Sequence, residues 1–168
     1  MRHALFLRGI NVGPVRVPMT DLRALLASLG LRDVRTWLAT GNAAFEADDD
    51  AATLRPVIER ALTERFGYDA HVQVLDHDAL RGIVESMPFP AREDHHRYVV
   101  LCDGPEVLDR LVEEGEELGA DVATGSGVVY WSCPIGRSTD EPFAKLLARK
   151  ALRAATTTRN IQTLQKML

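Results

Sequence analysis

The chain lacks the parts from which several common chemistries are built. Its two cysteines, Cys102 and Cys133, lie far apart without a C-x-x-C spacing, so neither a zinc knuckle nor a dithiol redox motif is signalled, and both read as core thiols. No apolar run approaches the roughly 20 residues of a membrane helix. The opening MRHALFLRG has none of the tripartite pattern of a signal peptide and runs straight into a strand, which leads us to expect a cytoplasmic protein without a membrane span. Neither a Walker A loop nor a G-x-G-x-x-G run occurs. The TGSG segment places Ser126 in a hairpin turn instead of the strand-to-helix elbow of a hydrolase nucleophile. Cys133 has no histidine close in sequence to activate it. His95 and His96 beside Glu93 and Asp94 are loop neighbours without enforced geometry, so no metal site is assigned. No cofactor is named by any motif.

What is present is an ordinary globular composition. The 168 residues are 46% apolar and 26% charged, long enough for one large domain or two small ones that bury about two thirds of the unfolded surface. The formal net charge of -4 is unevenly spread: residues 1–40 carry six basic against two acidic side chains, 41–136 seven against twenty, and 137–168 seven against two. Basic ends that met in space would make a positive face on an acidic body and steer anions to it. The alternative is that the charges are solvated on several faces.

The hydrophobic pattern predicts a strand over HALFLR, residues 3–8, and then a helix. Pro18 suits its first position, Met19, Leu22, Leu25, Leu26 and Leu29 recur at helical spacing, and Gly30 ends it. DVRTWLA alternates as a strand, and Thr40-Gly41-Asn42 turns it into the short run AAFEA. A second helix is expected with Thr53 as cap, Pro56 in its first turn and Gly67 at its end, followed by strand AHVQVL. The resulting order β-α-β-β-α-β is that of the split, ferredoxin-like unit. The pattern then recurs in degenerate form: a helix near 78–86, strand RYVVLCD, a helix opened by Pro105, hairpin DVAT-GSG-VVYWS, a helix from about Asp140 to Leu152, a short strand at Thr156 to Thr158 and a last helix from Asn160. The predicted fold is therefore α+β, two ferredoxin-like halves with antiparallel sheets plus a C-terminal helix. The predicted division is residues 1–76 and 77–168, with the C-terminal helix packing back toward the first half.

In a split unit the third strand lies antiparallel between the first two, so the loop after strand one and the hairpin after strand two share one sheet edge. RGINVG and TGN are thereby expected to converge, beside the N-terminus of the first helix with its unpaired N–H groups. Arg8, Gly9, Asn11, Gly13, Arg16, Thr40, Gly41 and Asn42 form the candidate site, suited to a small phosphate- or nucleotide-like anion. Arg8 and Arg16 supply charge, and the glycines allow close backbone approach. Arg159, Asn160 and Lys166 would complete it if the C-terminal segment packs on the same edge. The same residues also have structural uses: Gly9 and Gly13 as turn positions with φ > 0, Asn11 and Asn42 as partners of buried backbone groups, Arg8 as partner of a carboxylate, Asn160 as a helix cap. For Arg137-Ser138 the loop-and-cap reading is the stronger.

Nucleic acid is the second class of partner, because this unit also builds RNA-recognition modules. The stacking signature is missing: strand one offers only Phe6, and Tyr130-Trp131 are adjacent and so point to opposite faces. A scaffold acting through an exposed sheet edge is the third class. The sequence does not specify a reaction or an oligomeric state.

The segments LRGINVG, VPM-x-x-L, TGN-x-x-F, GRS and TTRN-x-x-T-x-x-K resemble, across the whole chain, the bacterial family catalogued as domain of unknown function 1697. Members usually show Ser where Thr40 stands, a second Gly where Pro14 stands, and Trp-Asn where Ile161-Gln162 stand. The resemblance implies the paired ferredoxin-like architecture and no particular activity.

Overall fold

The computed structural model describes residues 1–168. The chain forms two compact units, Met1–Arg81 with Met167–Leu168, and Gly82–Lys166. The first contains β1 (Arg2–Leu7), α1 (Met19–Ser28), β2 (Arg32–Trp37), β3 (Asn42–Glu46), α2 (Ala51–Phe66) and β4 (Val72–Asp76), after which α3 (His77–Glu85) carries the chain onward. Its sheet has the order β2-β3-β1-β4, with every neighbouring pair antiparallel. That is the ferredoxin-like arrangement expected from the element order.

Register explains the core. Leu5 stands opposite Ala43 on one side and Val74 on the other, and Leu7 opposite Val72. Since side chains alternate across a strand, these residues share one face, and they pack with Leu22 and Leu26 of α1 and Leu54, Ile58 and Leu62 of α2 in one buried cluster. Both helices therefore present their apolar stripe to the same side of the sheet.

Two local details of α2 differ from expectation. Its cap is Asp50, whose Oδ1 accepts the Thr53 N–H at 2.8 Å, so Thr53 is the third helical residue instead of the cap. The earlier start puts Pro56 in the second turn, inside the helix and on its solvent side, where its ring removes one intrahelical hydrogen bond. Gly67 ends the helix in the left-handed conformation, φ 70°, as a glycine at this position does. The edge strand β2 is irregular: its pairing with β3 shifts between Arg32 and Arg35, and Asp33 has φ 46°.

The second unit repeats the plan with β5 (His95–Cys102), α4 (Pro105–Glu117), β6 (Asp121–Thr124), β7 (Val128–Pro134), α5 (Pro142–Leu147), α6 (Lys150–Ala155), β8 (Thr156–Asn160) and α7 (Ile161–Lys166). The sheet order is β6-β7-β5-β8, again all antiparallel. Val100, Val129, Trp131 and Cys133 of the sheet pack with Leu111 of α4, Phe143 and Leu146 of α5 and Leu152 of α6. The single helix predicted over 140–152 is broken at Arg149, whose backbone is extended, φ -60° and ψ 137°. Ala148, Arg149 and Lys150 are all good helix formers, so local propensity does not set this break. The corner is tied to α4 by a contact of 3.4 Å between Arg149 and Glu114.

Candidate functional site

The end of β1 and the β2–β3 hairpin meet at one edge of the first sheet. The Leu7 N–H donates to Gly41 O at 2.8 Å, and Asn11 Nδ2 reaches across to Ala39 O at 2.7 Å. Asn11 holds this edge together. Its Nδ2 also donates to Val17 O (2.9 Å), its Oδ1 accepts the Val17 N–H (3.0 Å), and its own N–H donates to Val15 O (2.8 Å). The side chain is thus spent on closing loop 8–18 and stapling it to the hairpin.

Asn42 behaves similarly. It is buried, and its Nδ2 donates to Trp37 O at 2.8 Å and Thr40 Oγ1 at 3.0 Å. Gly41 has φ 89°, and a Cβ there would lie 2.7 Å from Leu7 Cβ and 2.8 Å from Ile10 Cδ1. Conformation and space both demand glycine at this position. Gly9, at φ 70°, faces open space. Gly13 does not take the positive φ read for it; Asn11 does, at 56°, as does Leu38, also at 56°. A left-handed leucine is uncommon, and its side chain stands 60% exposed.

The charged residues are less committed. Arg16 is exposed and reaches only Asn11 O, at 3.5 Å. Arg8 is half-buried and already engaged by contacts within the protein. Helix α1 begins after Pro18 with no side-chain cap, and Asp21 in its first turn lies 3.8 Å from Arg65.

Arg159, Asn160 and Lys166 belong to the second unit. Arg159 is buried in β8, where its Nη1 donates to Thr157 Oγ1 at 2.8 Å and Thr158 O at 2.9 Å, and burial lowers its pKa to about 10. Asn160 Oδ1 accepts the Gln162 N–H at 2.9 Å, capping the start of α7. Lys166 is exposed at the end of that helix.

Both thiols are turned inward, and His95 is paired. Burial pushes the Cys102 thiol up to about 12 and raises Cys133 as well, the opposite of what a thiolate nucleophile requires. His95 lies 2.9 Å from Asp94, whose carboxyl is held below its ordinary range by hydrogen bonds from His95 and Arg92. No three His, Cys, Asp or Glu side chains are grouped to hold a metal ion.

A group that the sequence assigns to no site comes together in the second unit. Tyr98 and Trp131 are paired across β5 and β7 with ring centroids 5.2 Å apart, and they line a concavity with Ser138, Arg153 and Thr158. Tyr98 and Trp131 lie on the helix-facing side of their strands, and their pairing is fixed by strand register, which no single segment of the sequence displays.

No functionally curated protein matches the chain. Among solved structures it is similar to a conserved bacterial protein, SP0830 from Streptococcus pneumoniae, at 26% identity and a TM-score of 0.81, covering 99% of this chain and 96% of that one. A family model matches residues 1–130, a span that takes in LRGINVG, VPM-x-x-L and TGN-x-x-F. The chain therefore belongs to the DUF1697 family of proteins of unknown function.

Proposed function

We propose that the loop edge of the first unit binds a small anionic ligand, phosphate- or nucleotide-like. The observation that carries the reading is the combination of an uncapped α1 N-terminus and the exposed Arg16, which pairs with no carboxylate. First-turn N–H groups need acceptors, and an oxyanion would supply them while meeting the positive end of the helix dipole. Asp21 in the same turn opposes this attraction, so the affinity is modest. Asn11, Gly41 and Asn42 serve the site by fixing the loop and not by touching the ligand. Stacking of nucleic-acid bases gains no support, because Phe6 is fully buried.

The test is a thermal-shift titration of the full chain with phosphate, sulfate and a nucleoside monophosphate at low ionic strength. Ligand at a hundred times its Kd stabilises by about 2.7 kcal/mol, and Arg16→Gln should remove most of that shift without changing the ligand-free midpoint. Arg8→Met is the poorer probe, since Arg8 has contacts within the protein to lose. A wild type indifferent to all three anions, or an undiminished shift in Arg16→Gln, would sink the reading.

A further inference from the structure

The second unit carries a concavity of about 410 Å³ on the helix side of its sheet, within the size range of small-molecule pockets. Its aromatic floor is the half-buried Tyr98, backed by the buried Trp131, which Phe143 holds in an edge-to-face contact at 5.1 Å. The walls come from the break between α5 and α6. Leu147 closes one side at the end of α5, and Arg153 projects from α6 on the other. Had residues 140–152 formed one continuous helix, this corner over the sheet would not exist.

The polar groups around the pocket are all donors or can donate. Arg153 is exposed and makes no salt bridge, and the hydroxyls of Ser138 and Thr158 make no hydrogen bond within the protein. No carboxylate lines the concavity. A guanidinium with two hydroxyls offers an acceptor-rich, negatively charged group a bidentate partner and flanking donors. The Tyr98 ring face below favours a flat apolar body.

We infer that this pocket is a binding site for a small planar aromatic carboxylate, its ring lying against Tyr98 and its carboxylate held by Arg153, Ser138 and Thr158. The site is separate from the anion-binding edge of the first unit and does not depend on it.

The full chain is titrated with 1-naphthoate by calorimetry and ligand-observed NMR, against the neutral 1-naphthamide and the non-aromatic cyclohexanecarboxylate. Naphthoate should bind saturably and each comparator about tenfold more weakly or worse, as expected when a charged hydrogen bond or a stacking face is removed. Arg153→Gln, on an exposed helix surface, should erase the preference for naphthoate over the amide. Ala148→Leu, which fills the pocket wall, should abolish binding of all three, and Arg16→Gln should leave naphthoate binding unchanged. Circular dichroism confirms that each variant is folded. No saturable binding of naphthoate by wild type, or binding unaffected by both Arg153→Gln and Ala148→Leu, overturns the assignment, as does loss of naphthoate binding in Arg16→Gln.

Discussion

Three glycines at the loop edge provide an internal series for testing what that edge requires. Adding a Cβ at Gly41 incurs two penalties, because the backbone has φ 89° and the new atom meets Leu7 Cβ at 2.7 Å and Ile10 Cδ1 at 2.8 Å. A left-handed L-residue costs roughly 1–2 kcal/mol, and forcing a methyl into a packed site typically costs about 1–3 kcal/mol. Since Leu7 Cβ is anchored to a central strand and cannot swing away, Gly41→Ala should destabilise by about 2–5 kcal/mol. Gly9→Ala meets the first penalty alone, as its Cβ would point into open space at φ 70°, and about 1 kcal/mol is expected. Gly13→Ala meets neither, so it should be neutral or slightly stabilising through its stiffer unfolded state. Urea unfolding followed at two wavelengths measures all three, with coincident transitions as the condition for comparing midpoints. Equal losses at the three positions would refute the reasoning, and so would a Gly13→Ala loss as large as that of Gly41→Ala.

Two further outcomes follow from the titrating groups. The Asp50 carboxyl is held below its ordinary value mainly by the Thr53 N–H, so its contribution is present above the unfolded pKa and fades as pH falls through the lower folded one. Acid unfolding of wild type should therefore include a component below about pH 4 that Asp50→Asn removes while keeping the cap, whereas Asp50→Ala loses stability at neutral pH too. With the Cys102 thiol at about 12 and Cys133 raised, iodoacetamide at pH 8 should modify neither cysteine in the native protein and both in urea. Mass spectrometry reads the result, and rapid native labelling of either thiol contradicts the burial described for it.

The architecture was legible because the patterns behind it are local. The near-continuous apolar run in HALFLR, the alternation in DVRTWLA, the helical spacing of Leu22 and Leu26, and Gly67 after a long amphipathic run each name an element. The split topology then brings RGINVG and TGN to one edge without further information. What escaped was decided by competition between similar local choices or by distant residues. In DDDAATL several side chains can cap a helix, and Asp50 prevails over Thr53 by taking the Thr53 N–H itself. Asn11 takes the positive φ that Gly13 could have taken more cheaply, because its side chain then satisfies Val17 and Ala39. The break at Arg149 has no signature in ARKALRAA, and the Tyr98–Trp131 floor spans two strands whose register no single segment encodes.

The irregular edge strand β2 has a consequence for how these molecules behave at high concentration. A regular edge strand offers an incoming chain an unbroken row of N–H and C=O groups, the template from which intermolecular sheets grow. Here the row is interrupted where the register slips between Arg32 and Arg35 and Asp33 turns to φ 46°. The exposed side chains are charged as well, with Arg32 paired to Asp48 at 2.8 Å and Arg35 to Asp33 at 3.2 Å. A strand that twists away and carries alternating ions repels both a second copy and a foreign peptide seeking to add to the sheet. The flaw in its outermost strand thus blunts the open edge of the first unit's four-stranded sheet as a template for further strands.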